Sequence, residues 1–207
     1  MSRSRWILLA ALGAIVIAAL VACCVFLWNV YYAHAEGPFV MRVAQAVPIP
    51  AARVGNRTVL LREYLKDVKS IELFLSSDEA ASQGQKRAIL NEDRENALER
   101  LVREEILEEL AVARSVEITD EQMNAVVSEL NISTTNTRAF EEFIAKNYGW
   151  NMDDFRSHVV RPVVLTRLLT ESYAADHDGD LTALTTYVEE RLTRPDVVRY
   201  VKFAPVP

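Results

Sequence analysis

From Trp6 to Tyr32 the chain carries no charged residue. About 20 consecutive apolar residues in a helix are enough to cross the hydrocarbon core of a bilayer. Met1 to Arg5, ahead of the run, is short and basic. Trp6 stands at one end and Trp28, Tyr31 and Tyr32 at the other, as amphipathic rings do at the two membrane interfaces. Arg3 and Arg5 stay cytoplasmic under the positive-inside rule, so Glu36 onward is expected outside the cytoplasm. Residues 1–35 therefore read as a cytoplasmic tip and transmembrane signal-anchor of a single-pass cell-membrane protein. Two processing alternatives stay open. Ala33-His34-Ala35 has the A-x-A form of a cleavage site, although the run exceeds the roughly 7–15 residues of a signal-peptide core. Leu20-Val21-Ala22-Cys23 has the form of a lipobox with Cys23 as acceptor, although Cys24 to Val30 stays mostly apolar. All three readings export the rest of the chain.

The exported part is acidic. Only Arg3 and Arg5 of the 23 Lys and Arg precede Glu36, and all 29 Asp and Glu follow Ala35. That part is thus two charges more negative than the −6 of the whole chain. Binding phosphates requires clustered Lys and Arg, so nucleic acid is not an expected partner. Cys23 and Cys24, the only cysteines, lie in the apolar run, which leaves no disulfide framework and no Cys-based metal site downstream.

Glu36 to Pro50 holds Gly37, Pro38, Pro48 and Pro50 and reads as a tether, with one short extended piece at Phe39 to Val47. Residues 36–51 are the expected linker. Ala52-Arg53-Val54 and Arg57-Thr58-Val59-Leu60 flank Gly55-Asn56, the pattern of a β-hairpin with a two-residue turn. Leu61 to Leu75 follows with helical spacing at Leu61, Tyr64, Leu65, Val68, Ile71 and Leu75, but without a Ser, Thr, Asp or Asn to cap it. Ser76 to Gln85 is polar and reads as a loop or frayed end. Lys86 to Ala113 is the long central helix, in which Leu98, Val102, Ile106 and Leu110 form a ridge, widened by Leu101. Leu107 points nearly opposite, toward a second contact. Thr119-Asp120-Glu121-Gln122 is a capping box that starts the next helix, with Met123, Val126, Val127 and Leu130 on its apolar face.

After a polar turn at Ile132 to Asn136, Thr137 to Tyr148 forms another helix, with Phe140, Phe143 and Ile144 inward and Gly149 closing it. Asn151 caps a helix from Met152 to about Ser172 that Pro162 must kink or split. Asp176 to Asp180 breaks the pattern, Leu181 to Leu192 gives a last helix, and Val197 to Phe203 alternates like a strand. The hairpin near Val54 to Val59 is the expected partner of that strand. The fold class is mainly α, with a small hairpin and a terminal strand.

Few residues suggest catalysis. His158 lies near Ser157 and Asp154, but neighbours on one helix turn seldom form a triad, and a packing histidine is the better reading. Asp176-His177-Asp178-Gly179-Asp180 resembles a cation loop, but the Gly and Glu that an EF-hand needs at its sixth and twelfth positions are replaced by Leu181 and Tyr187. Asn56-Arg57-Thr58 and Asn131-Ile132-Ser133 match the glycosylation sequon and read as chance. No cofactor and no metal are expected.

The ordered set of segments resembles the SurA N-terminal domain family of extracytoplasmic chaperones. It comprises Arg53-Val54-Gly55-Asn56 before the first helix; Ala97-Leu98-Glu99-Arg100-Leu101-Val102 with Glu104-Glu105-Ile106-Leu107; Val116 to Glu121; Phe143-Ile144 ahead of Tyr148-Gly149-Trp150; Asp153-Asp154-Phe155-Arg156; and Arg167-Leu168-Leu169. The likeness covers residues 52–203 and leaves 204–207 as a tail. The chain departs from the family at Leu60, where a polar residue is usual, and at Pro162. With the chain ending at Pro207, the parvulin prolyl isomerase domain of many relatives is expected to be absent, and no catalytic residue is expected. The resemblance implies ATP-independent binding of unfolded or partly folded exported polypeptides. The candidate client-binding residues are Leu107, Met123, Phe140, Phe143, Trp150 and Phe155. The alternative is a structural or adaptor subunit bound to one fixed envelope partner.

Overall fold

The computed structural model describes residues 3–130 and 137–203. It is mainly helical with one small sheet, as expected. Helix α1 (Arg3–Tyr31) contains a 20-residue segment, Leu12–Tyr31, long and apolar enough to cross a membrane, with a mean hydropathy of 2.4. Its side chains from Leu12 to Val25 are exposed, whereas Phe26, Leu27, Val30 and Tyr31 pack onto the rest of the chain.

The expected extended tether is folded. Residues 38–46 form helix α2 (Pro38–Ala46), whose Val40 and Ala44 are buried one turn apart. Proline at the start of a helix loses no intrahelical bond, because the first N–H groups have no partner there. The prolines that suggested a linker therefore bracket a helix instead. Ile49, Ala51 and Ala52 are buried just beyond it.

The hairpin pairs β1 (Pro50–Val54) with β2 (Arg57–Leu60), bringing Val54 opposite Arg57 and Ala52 opposite Val59. Gly55 makes the turn at φ +55°, a conformation that side-chain-bearing residues rarely adopt. The terminal strand β3 (Val197–Arg199) pairs antiparallel with the other edge of β1, Val54 opposite Val197 and Ala52 opposite Arg199. The sheet order is β2-β1-β3.

Helix α3 (Leu61–Ser76) starts without a polar N-cap side chain, and Glu63 takes over part of that role by accepting the Leu60 N–H at 3.0 Å. The stretch Ser76 to Gln85 contains a short helix, α4 (Asp78–Ser82), capped by the Ser77 hydroxyl, which accepts the Ala80 N–H at 3.1 Å. The long helix α5 (Asn91–Ala113) begins five residues later than the expected Lys86. Arg87 leaves the helical register: its N–H donates to the Leu75 carbonyl and its guanidinium pairs with Asp93. The α5 ridge is buried throughout, at Leu98, Leu101, Val102, Ile106 and Leu110. Each such side chain contributes about 1.5–3 kcal/mol by leaving water.

Helix α6 (Asp120–Glu129) opens on the expected reciprocal box: Thr119 Oγ1 accepts the Gln122 N–H, and Gln122 Oε1 accepts the Thr119 N–H. The turn expected at 132–136 and the tail at 204–207 lie outside the described residues. Helix α7 (Thr137–Tyr148) ends at Gly149, φ +69°. Helix α8 (Met152–Phe155) carries its Asn151 cap, whose Oδ1 accepts the Asp154 N–H at 2.9 Å. A π turn (Arg156–Val160) then leads into α9 (Arg161–Ala175). Pro162 sits at the start of α9, and the wider π register lets the chain continue past a residue that cannot donate to the preceding turn. Helix α10 (Ala183–Leu192) completes the helices.

Two cores result. The larger joins the sheet, α2, α3, α5, α9, α10 and Val30 of α1. The smaller is built from Val126, Ile144, Phe155, Val160 and Val164, with Met123 and Phe140 packed against it. It forms a lobe of α6, α7, α8 and the π turn that leans on α3.

Candidate functional site

Two adjoining hollows run along α3, where the small lobe meets the main body. The first encloses about 490 Å³ and is lined by Met41, Leu73, Tyr148 and Gly149, with Arg62, Glu63, Lys66 and Lys69 also among its walls. The second encloses about 270 Å³, with Ile71, Phe74, Tyr148 and Trp150 among its walls. Ser70 and Tyr148 belong to both, so the two form one continuous cleft.

Its floor is a ladder of rings. Phe74 stacks on Tyr148 at 5.2 Å, Tyr148 on Trp150 at 5.1 Å, and Trp150 on His158 at 5.3 Å. Such offset pairs contribute about 0.5–1.5 kcal/mol each beyond their burial. Trp150 Nε1 donates to Ser70 Oγ at 2.7 Å, and Ser70 Oγ donates to the Lys66 carbonyl at 3.0 Å, so the polar edge of the indole is satisfied. Gly149 allows this close approach. A Cβ there would lie 3.0 Å from Leu73 Cδ1, and the backbone is already left-handed. The floor is thus presented by the end of α3, the end of α7 and the loop between α7 and α8.

A buried polar cluster lies beneath the ladder. Asp67 of α3 is almost inaccessible and is ion-paired with Arg100 of α5, which also pairs with Glu104. The other Asp67 oxygen, Oδ1, has no hydrogen-bond partner among the described residues and faces His158 Nε2 at 3.6 Å. His158 Nδ1 meets the Asp154 carbonyl at 2.8 Å and acts as donor there, which leaves Nε2 facing the carboxylate. Burial pushes the Asp67 carboxyl above the usual carboxylate range, although Arg100 and His158 pull the other way. Burial likewise pushes Glu104 up to about 7, with Arg100 opposing and Asp67 reinforcing the shift. His158 is therefore engaged as a packing residue. The Asp154 carboxylate is taken by Lys66 and the Asn151 N–H, not by the imidazole.

The six side chains expected to bind clients occupy three settings. Trp150 lines the second hollow, and Phe143, 40% exposed, stands edge-on to Tyr148 at 6.3 Å. Met123, Phe140 and Phe155 instead fill the core of the small lobe, where Phe140 and Phe155 make a T-shaped pair at 4.9 Å. Leu107 lines a separate hollow of about 400 Å³ between α5 and the start of α9, walled by Glu104, Glu105 and Glu108 and by Arg57 and Arg161. Phe143 points outward, where helical spacing had put it inward. Met41, Leu73 and Phe74 also line the cleft and escaped sequence reasoning. Met41 lay in the supposed tether, and Phe74, three residues after Ile71, was the one signal that spacing offered.

The Asp176–Asp180 loop is a turn between α9 and α10 in which two of the three carboxylates are already engaged. Asp176 pairs with Arg114, and Asp180 accepts from the N–H and hydroxyl of Thr182.

No curated protein and no solved structure matches the chain. The sequence model of the SurA-like N-terminal domain matches residues 1–169, from α1 into α9. The match takes in both walls of the cleft, and the chain belongs to the SurA-like N-terminal domain family.

Proposed function

We propose that the chain is a membrane-anchored, extracytoplasmic holding domain that binds unfolded or partly folded exported polypeptides without ATP, cofactor or covalent chemistry. The observation that carries this reading is the open cleft along α3 with its aromatic floor. An apolar cleft accepts the aliphatic and aromatic side chains that an unfolded chain exposes. Trp150 and Phe143 remain the client-contact residues, joined by Tyr148, Phe74, Leu73 and Met41. Met123, Phe140 and Phe155 hold the lobe that presents them.

Helix α1 serves as a retained anchor with its N-terminus in the cytoplasm. Its last turns are part of the core: Val30 is 3% exposed, the Tyr31 hydroxyl donates to the Pro50 carbonyl at 3.0 Å, and the Tyr31 carbonyl accepts the Lys202 N–H at 2.9 Å. Cleavage after Ala35 would strip these contacts away.

The test uses the full chain in lipid nanodiscs at a near-stoichiometric ratio to several unrelated unfolded proteins. Aggregation of each is expected to be delayed. The Leu73→Asp/Phe143→Asp variant is expected to weaken binding at least about fivefold, equivalent to ~1 kcal/mol. Absence of delay with every client, alongside a tight complex with one native envelope protein, would replace this reading with that of a fixed adaptor subunit.

A further inference from the structure

We propose that α2 is an interfacial membrane helix, lying along the outer leaflet and fixing the domain against the lipid surface. The inference rests on reading α1 as a membrane span. Leu12–Tyr31 has 20 residues, enough at 1.5 Å per residue to cross about 30 Å. Phe26 then lies inside the span, about 7.5 Å below Tyr31. Phe39 of α2 packs edge-on against Phe26, ring centroids 6.1 Å apart, and is therefore held at the depth of the acyl chains. Phe39 is 69% exposed, and neighbouring Trp28 is 63% exposed while it stacks on Tyr32.

The other end of α2 is tied close to the α1 exit, because Pro50, shortly after it, accepts the Tyr31 hydroxyl. With both ends pinned beside the α1 exit, the short helix runs along the surface. Its outward stripe is Phe39, Arg42 and Ala46, at i, i+3 and i+7, opposite buried Val40 and Ala44. Arg42 is exposed and makes no ion pair among the described residues, whereas nearby Glu36 is neutralised by Arg94 through contacts of 2.6 and 3.1 Å. An apolar ring at acyl depth beside a free guanidinium at headgroup depth fits a phospholipid leaflet and its phosphates.

The experiment places a nitroxide at Phe39→Cys, Trp28→Cys or Asp178→Cys in full-length Cys23→Ala/Cys24→Ala chain, reconstituted in phosphatidylglycerol-containing liposomes. Asp178 is the aqueous reference. Its loop is tied by Asp176 to Arg114, past the end of α5, about 30 Å along that helix from the Arg94–Glu36 pair. Relaxation by oxygen, which concentrates in lipid, is compared with relaxation by a water-soluble nickel chelate. Labels at 39 and 28 are expected to favour oxygen over the chelate by about tenfold relative to 178, and Arg42→Glu to raise chelate access at 39 by at least about threefold. Residue 28 in lipid with residue 39 in water overturns the interfacial helix and leaves the anchor standing. Residue 28 in water overturns both. An unchanged residue 39 in Arg42→Glu overturns the phosphate contact.

Discussion

Glu104 and Asp67 are carboxylates whose surroundings work against their charge. Glu104 titrates at about 7 in the folded chain against an ordinary 4.5, chiefly because it is buried. The folded state therefore holds its proton more tightly than the unfolded chain does, and stability falls as pH rises from 4.5 through about 7. Asp67, raised by its own burial, adds to the same trend. Thermal unfolding of the full chain in mild detergent is expected to show higher stability near about pH 5 than near about pH 8. Glu104→Gln is expected to recover about 1–3 kcal/mol at the higher pH, and an equal shift at both pH values would assign the effect to packing. The residues that sequence alone made legible have purely local partners. Thr119 with Gln122 and Asn151 with Asp154 close three-residue loops, so spacing suffices to find them. The ladder from Phe74 to His158 was not legible, because its members come from three separate elements and only the fold brings them together.

At the scale of elements, the errors share one cause. Helix α2 was read as a tether because Pro38, Pro48 and Pro50 suggest extended chain, yet proline in a first turn is compatible with a helix. The expected start of helix α5 at Lys86 lies five residues ahead of the observed one, because contacts of Arg87 draw its segment out of the helix. The split at Pro162 was foreseen, but its form, a π turn, depends on His158 packing against α3 and Trp150. The pairing of the terminal strand with the hairpin was legible from alternation alone. What fixes that corner is Arg191 of α10, only 3% exposed, which holds Asp196 at 2.7 and 2.9 Å and Glu109 of α5 at 3.0 Å. Both acceptors remain partly solvated, so Arg191→Ala is expected to cost about 2–3 kcal/mol, below the value for a fully buried pair. The check is a melting curve against Arg191→Lys, which keeps the charge but not the fork and is expected to fall between the two.

For the whole molecule, the last turns of α1 and the body that follows are one packed unit. The Val30→Ala/Tyr31→Ala variant of the full chain is expected to melt about 5–10 °C below wild type in the same detergent, as a loss of roughly 2–3 kcal/mol implies for a protein of this size. A helix that served as a leash alone would leave the transition unmoved. The expected division into anchor, linker and domain does not include this continuity, since hydropathy reports where a helix can cross lipid and not what its last turn touches. The place of β3 carries a consequence for biogenesis. It pairs with β1 across most of the sequence that follows α1, and the neighbouring Lys202 N–H closes onto Tyr31. While the polypeptide is being made, β1 has one open edge until residues 197–199 emerge, and open edges invite pairing with other strands. Completion of the sheet thus waits on a late-synthesised segment, and β1 stays open to mispairing for that interval.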